Sequence, residues 1–488
     1  MSARRIGAAF TAVVVTGGVV VGLVSGAFGS LAEDGLYATG LWSPNGASTR
    51  PSPGPSGSPT PTPSSARATP SPSAAPPPPG LPAPVLAAVV RGAEPDQAEV
   101  QARVGSVKVP GIGSASYTAA VVDVGSGQTV YAHNPMKSFI PASTVKLLTS
   151  AAALSILGPD HTFATRVVSP QPGQIILVGG GDPYLSEQSR ADTFPRRASV
   201  ADLARSSAAA LKKANVRSVT LGYDDSLFTG PRWHPTWPGL YADQVTPVSA
   251  LWVDEGRVRS SPGPRVEDPS LEAAQAYAAA LRRQGIKVGA ITRQKAAPSA
   301  RPVASVSSMP LEQIVEQLLL VSDNDASEVI YRQAAIGAGK LGSFVDAGAV
   351  VRDRLTELGV WKPGTTINDG SGLSRQSRVP AATLAQLLDQ AASDTRPELR
   401  AVITGLPVAG GEGSLRTHFG DAESRAGRGV VRGKTGTLNK VHSLAGLIRT
   451  EDGSVLAYAF LVNDPENDFN AKVWLDRVSA ALSTCGCR

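Results

Sequence analysis

The distribution of apolar positions divides the chain into stretches of different character. From Ile6 to Ala32 no charge interrupts the run, whose core reads IGAAFTAVVVTGGVVVGLVSGAF and follows Arg4 and Arg5. Positive residues ahead of an apolar stretch hold that end in the cytoplasm and send the remainder outward. The run exceeds the roughly 7–15 residues of a signal-peptide core and is long enough to span a bilayer. Residues 1–34 are therefore expected to export the chain, as a retained single-span membrane anchor or as a signal segment cut near SGA at 25–27. No cysteine follows the run, which excludes a lipid-modified N-terminus. Residues 51–84 then lose all periodicity: PSPGPSGSPTPTPSSARATPSPSAAPPPPGLPAP carries Arg67 as its single charge. Such a composition cannot build a core, and residues 51–84, within a Pro/Ser/Ala-rich linker over 35–95, read as an extended polyproline-like spacer with a reach on the order of 100 Å.

Periodicity returns near Asp96. YTAAVVDVGSGQTVYAHN (117–134) predicts two strands around a Gly-Ser-Gly turn. An apolar helix follows, opened at Ser143 and stopped at Gly158-Pro159; it is apolar on nearly every face and is expected at the centre of the molecule. From Thr165 to Ser299 short strands alternate with Pro- and Trp-rich loops such as GPRWHPTWPGLY, then a helix, SLEAAQAYAAALRRQG. This predicts a smaller α+β domain over 165–299, inserted between the two parts, 96–164 and 300–488, of a discontinuous main domain. The main domain resumes with the helix PLEQIVEQLLL and closes with three strands, GVVRGKTGTL, HSLAGLIRT and VLAYAFLVN, and a helix, NAKVWLDRVSAALS. An Asp-Gly turn between the last two strands predicts an antiparallel sheet. The fold class is thus α/β in the α+β sense, an antiparallel sheet flanked by helices.

Composition narrows the function classes. A net charge of +6 over 488 residues, with no Lys/Arg stripe, gives no basis for nucleic-acid binding. The five histidines are scattered without ligand spacing, so no metal and no cofactor is expected. Cys485 and Cys487 are the only cysteines. One pair cannot make a structural zinc site; in an exported protein they can be oxidised, although a bridge across one residue is strained, or they can pair between chains.

The chemistry is carried by three short patterns. In PASTVK, Ser143 and Lys146 stand three apart, so both side chains lie on one helix face; a desolvated, neutral lysine there can take the serine's proton. SDN, Ser322 to Asn324, follows one helix and precedes another, and Asp323 reads as structural. KTGT, Lys434 to Thr437, lies in a strand, where Gly436 is unfavourable unless another backbone must come close. In this order, S-x-x-K, S-D-N and K-T-G are the signature set of class A β-lactamases and penicillin-binding proteins.

Together with GGGDPYLS (179–186), DGSGLSR (369–375) and PVAGGEGSL (407–415), these motifs resemble the D-alanyl-D-alanine carboxypeptidase/endopeptidase family. These are the class C low-molecular-mass penicillin-binding proteins, and the resemblance runs from about residue 96 to the C-terminus. Actinobacterial members are similar in the spacer and the terminal CGC. The resemblance implies a penicillin-binding transpeptidase-like fold with an insertion between the first two motifs. It also implies a penicillin-sensitive acyl-enzyme acting on peptidoglycan stem peptides ending in D-Ala-D-Ala, with β-lactams as inhibitors. Ser143 would be the nucleophile and Lys146 the acylation base, with Lys434 helping to keep Lys146 neutral. Ser322 would relay a proton to the leaving amine, and Asn324 would hold the substrate amide. Backbone N–H groups of Ser143 and Thr437 would hold the oxyanion. Thr435, Thr437 and Lys434 suit the terminal carboxylate, and Gly436 lets the substrate lie along the strand. Asp182 and Arg375 would hold the free end of a diaminopimelate-type side chain, against Leu438. The alternatives are a serine β-lactamase, whose usual members lack the insertion and the DGSGLSR and GGGDPYL features, and a non-catalytic binder of wall peptides, which the intact Ser-Lys-Ser-Asn-Lys set argues against.

Overall fold

The computed structural model describes residues 95–189, 195–258 and 265–486. The expected anchor or signal segment, all but the last residue of the linker, and Cys487 lie outside those residues. Among the described residues no helix is long and apolar enough to cross a membrane. Helix α1 (Gln97–Ser106) starts at Asp96, whose carboxylate accepts the Ala98 N–H at 2.7 Å. Strands β1 (Tyr117–Asp123) and β2 (Thr129–His133) form the expected hairpin, and β3 (Ser138–Phe139) leads to a 3-10 turn, Ala142–Thr144. Helix α2 (Val145–Leu157) follows, buried from Val145 through Leu154, and ends at Gly158, whose φ of 86° takes the chain out of the helix.

The next sheet is built from β4 (Ala164–Gln171), β5 (Gln174–Val178), β6 (Ser218–Asp224), β7 (Lys287–Arg293) and β8 (Arg301–Ser307), in the order β7-β6-β5-β4-β8. Helices α3 (Val200–Lys213) and α4 (Pro269–Arg283) bury Leu203, Tyr277 and Leu281 against Ile175, Leu177 and Leu221 of this sheet. The boundary expected at 299/300 cuts this sheet, because β8 pairs with β4 from Ala164↔Ser307 to Ser169↔Arg301. RPVASVS has one solvent-facing side and a proline, so its strand character shows only in its partner.

The remaining helices are α5 (Leu311–Leu320), α6 (Asn324–Gly337) and α7 (Phe344–Glu357), then the short strand β9 (Val379–Pro380), α8 (Ala381–Ala392) and α9 (Arg400–Thr404). Strands β10 (Arg432–Leu438), β11 (Val441–Arg449) and β12 (Val455–Asn463) and helix α10 (Asp468–Ser483) close the chain. The principal sheet is antiparallel, in the order β10-β11-β12-β1-β2. Alternation along β12 splits its side chains between two cores. Tyr458, Phe460 and Val462 pack with Trp474 and Val478 of α10, whereas Ala457, Ala459 and Leu461 face the cluster containing α2 and α8. Trp237, Val245, Val248 and Trp252 also belong to that second cluster, so the Trp-rich loop expected in the insertion packs into the body that carries the motifs. Cys485 is buried and disulfide-bonded.

Candidate active site

Ser143 sits in the 3-10 turn just before α2, two residues earlier than a helix start would be, and its neighbour Ala142 has a φ of 48°. Two glycines make room for this turn. A β-carbon at Gly372 would lie 2.0 Å from the Ala142 carbonyl oxygen, and one at Gly436 would lie 2.6 Å from Pro141 O and 2.2 Å from Ser443 Oγ. The close approach expected at Gly436 is therefore made by the loop that carries Ser143. The turn is further held by Ser443 Oγ, donating to Pro141 O at 2.7 Å, and by Asn463, whose amide exchanges hydrogen bonds with Ile140 N and O.

Lys146 lies in the first turn of α2, fully buried, with Nζ 3.0 Å from Ser143 Oγ. It also donates to Asn324 Oδ1 at 2.7 Å and to Ser371 O at 2.8 Å. A neutral amine has two N–H bonds and one lone pair. Those two acceptors take both N–H bonds, which leaves the lone pair for the serine hydroxyl. Burial lowers Lys146 to about 8, while the carboxylates of Glu328, Asp323, Asp369 and Asp325 hold it from falling further. Lys434, also fully buried, is pushed well below its ordinary range by burial and by the charge of Lys146. Like charges act reciprocally, so each amine favours the neutral form of the other, and burial is the largest cause of lowering for both.

The second pattern reaches the same point from α6. Asp323 caps that helix by accepting the Ala326 N–H at 3.0 Å, which accounts for its structural reading. Ser322 has a φ of 59°, and its Oγ accepts from Lys434 Nζ at 2.7 Å. Asn324 turns its Oδ1 toward Lys146 because its Nδ2 donates to Gln244 O, 3.0 Å away, in the Trp-rich loop. That loop is fastened again by Trp237 Nε1 to Asp369 Oδ2 at 2.8 Å and by Thr246 N to Asp325 Oδ1 at 2.7 Å. The carboxylates of Glu255, Asp323 and Asp325 converge nearby, with Arg257 on Glu255 and Asp325 and Arg265 on Asp325.

The third pattern lies on β10, an edge strand of the principal sheet. Lys434 donates to Ser322 and to Thr435 O, and Thr435 Oγ1 donates to Ser414 Oγ at 3.0 Å. Thr437 is exposed, and Leu438 packs partly buried against the core of α2 and α8. Asp182 and Arg375 are not joined to each other. Asp182 is buried in its turn, accepts the Tyr184 N–H at 2.9 Å, and is raised to about 7 by burial. Arg375 is exposed and donates to Asn439 O at 2.8 Å, at the end of β10. Gln244, Ser371 and Glu328 were missed in the sequence. Ser371 lies within DGSGLSR, and Glu328 stands one helical turn after Asn324; Gln244 has no such signal.

Three comparisons bear on this geometry. The description of the D-Ala-D-Ala carboxypeptidase 3 (S13) family matches residues 100–264 and 259–482. Carboxypeptidase Rv3627c of Mycobacterium tuberculosis is 34% identical over 378 residues, spanning 75% of this chain and 80% of that protein. The D-alanyl-D-alanine carboxypeptidase of an Actinomadura species is 28% identical over 444 residues, spanning 72% and 79%. Penicillin binding protein 4 of Haemophilus influenzae shares the fold, with a TM-score of 0.65 at 20% identity over 78% of this chain and 97% of that one. The chain belongs to the D-Ala-D-Ala carboxypeptidase 3 (S13) family.

Proposed function

We propose that the chain is a serine-type D-alanyl-D-alanine carboxypeptidase and endopeptidase of peptidoglycan peptides, working through an acyl-enzyme on Ser143. The observation that carries this reading is the placement of Lys146, whose N–H bonds are taken by Asn324 and Ser371 while its nitrogen stands 3.0 Å from Ser143 Oγ. Lys146 removes the Ser143 proton as Oγ attacks the carbonyl of the penultimate D-alanine. Backbone N–H groups of Ser143 and Thr437 hold the resulting oxyanion. Collapse breaks the amide bond as Lys146 passes the proton it took from Ser143, through Ser322, which Lys434 holds, to the leaving amine, and Lys146 returns to the free base. Water then hydrolyses the ester, with Lys146 as its base. When the amine belongs to a terminal D-alanine the reaction is a carboxypeptidase one; when it belongs to a neighbouring stem peptide, a cross-link is cut. The open edge of β10 suits an extended peptide added as a strand, with Thr435, Gly436 and Thr437 along it and the terminal carboxylate at Lys434, Thr435 and Thr437.

Asp182, Arg375 and Leu438 are proposed to receive the substrate's side chain, the carboxylate taking its amine and the guanidinium its carboxylate. The apolar run from Ile6 to Ala32 and the proline-rich linker support export and attachment to the outer face of the membrane, with the catalytic part held away from it. A fluorescent penicillin tests the nucleophile, because its strained ring offers the serine an amide like the one it cleaves. Ser143→Ala should abolish covalent labelling while circular dichroism and Tm stay unchanged; retained labelling would place the nucleophile elsewhere.

A further inference from the structure

Glu328 is a buried carboxylate that the reaction above does not use. It lies on α6 one turn after Asn324 and has no exposed surface. Both of its oxygens meet one stretch of backbone: Oε1 accepts the Ser371 N–H at 2.7 Å, and Oε2 accepts the Gly370 N–H at 3.0 Å. The carbonyls of the same two residues are bound by α2. Gly370 O accepts from Thr149 Oγ1 at 2.9 Å, and Ser371 O accepts from Lys146 Nζ at 2.8 Å. The loop is pressed onto α6 so closely that a β-carbon at Gly370 would lie 2.6 Å from Ser327 O and 2.5 Å from Tyr331 Cβ. Glu328 thus grips the N–H side of a two-residue bridge whose carbonyl side orients the lysine.

We propose that Glu328 is a positioning residue for the acylation step, fixing the Gly370–Ser371 backbone so that the Ser371 carbonyl holds Lys146 Nζ against Ser143 Oγ. The inference rests on the reading of Lys146 as the base. Without the Ser371 acceptor, the amine has one fixed N–H and can rotate its lone pair away from the hydroxyl. Two acceptor oxygens are needed because both N–H groups are buried and, among the described residues, neither has another partner. A carboxylate supplies two acceptors; an amide supplies one and sets its NH2 against the other N–H. Burial and then the charge of Asp369 raise Glu328 to about 8, against the hydrogen bonds from Ser371 and Gly370; once ionised, it is the foremost of the carboxylates that favour the Lys146 ammonium against burial. The other titratable groups facing this carboxylate are Asp369 from the loop, with His234 beside it, and Tyr331 and Arg332 from α6 itself. Asp323 and Asp325 act on Lys146 from the start of α6, and Lys434 lies across from it on β10.

The test is the second-order rate of acylation by benzylpenicillin from pH 6 to 10, measured on the intact protein with Tm recorded alongside. Glu328→Gln should acylate about 10-fold or more slowly at its optimum, from the loss of one buried hydrogen bond to the bridge. Its acid limb should also move to lower pH, because Lys146 loses the charge that Glu328 carries as it ionises around 8 and that favours the protonated amine. A residue that only supported the fold would lower Tm and leave the limb in place. Glu328→Asp keeps the charge on a shorter arm that cannot reach both N–H groups; its rate should fall with the acid limb unmoved, and this variant decides the matter if Glu328→Gln does not fold. Wild-type rate and limb in Glu328→Gln, or wild-type rate in Glu328→Asp, overturns the proposal. Lys146→Ala is the control: acylation retained there would overturn the base assignment itself, whatever Glu328 does.

Discussion

Asn324→Asp changes one atom of the site and should shift its pH dependence. In the wild type, Asn324 Oδ1 accepts from Lys146 Nζ at 2.7 Å, and Nδ2 donates to Gln244 O at 3.0 Å. Aspartate keeps the shape but places a negative charge against the amine. With Lys146 at about 8, roughly a tenth of the molecules hold it as free base at pH 7. An adjoining opposite charge favours the protonated form by about 1–3 pKa units, so the free-base fraction at pH 7 should fall by about 10- to 1000-fold. The acid limb of acylation should move up by the same interval, to about 9–11, and much of the lost rate should return only above it. The carboxylate also faces the Gln244 carbonyl with no proton to offer, at a cost of about 1–3 kcal/mol in stability. Acylation by fluorescent penicillin at a series of pH values measures the first effect, and thermal unfolding the second. A rate at pH 7 within twofold of wild type, with an unmoved limb, would refute the idea that Asn324 serves Lys146 as a neutral acceptor.

Gly436→Ala should slow acylation at least about 10-fold with little change in penicillin contacts, since the new methyl meets Pro141 O and must displace the turn that carries Ser143; crystal or NMR shifts in residues 141–143 check the cause. Asp182→Ala should lower kcat/KM for a peptide with a free diaminopimelate-type end by about 10- to 100-fold while barely altering acylation by benzylpenicillin, and equal losses on both would assign Asp182 to the fold. Asp182→Asn addresses stability. Burial raises the folded carboxyl from 3.8 to about 7, so the stability that its protonated form contributes is lost as pH rises through 7. The Tm advantage of Asn over Asp should therefore grow between pH 5 and pH 8, by the equivalent of about 2 kcal/mol, and a constant difference would show that the carboxyl is not desolvated.

What the sequence revealed is what depends on near neighbours along the chain. The Ser143–Lys146 contact follows from three-residue spacing at a helix start, and the closing strands and last helix follow from their own periodicity. The Asp323 cap was legible because capping is a local bond. Gln244 was not, since it acts through its backbone carbonyl, an atom every residue has, and its partner Asn324 lies in another element. The same holds for Ser371 O on Lys146. The loop GPRWHPTWPGLY looked like part of the insertion because its prolines and tryptophans carry no strand or helix period. Its allegiance is set by what the tryptophans bury against, which includes Phe344 of α7 at 5.5 Å from Trp237. Strand β8 was misplaced for a related reason: a half-exposed edge is defined by its pairing more than by its own residues.

The strand order has a consequence for the birth of the enzyme. Strand β1 has β12 as its neighbour, with Tyr117 opposite Val462, so the hairpin that precedes Ser143 waits for the last strand of the chain before its sheet can close. Lys434 and Gly436, which complete the surroundings of Ser143 and Lys146, arrive on that same late segment. The sheet of residues 164–307, by contrast, finds all its strands within one stretch and can order itself while the rest is still being delivered. A chain threaded outward from its N-terminus therefore stays without a working nucleophile until nearly its whole length has emerged. Hydrolytic power is thereby tied to the arrival of the last strands.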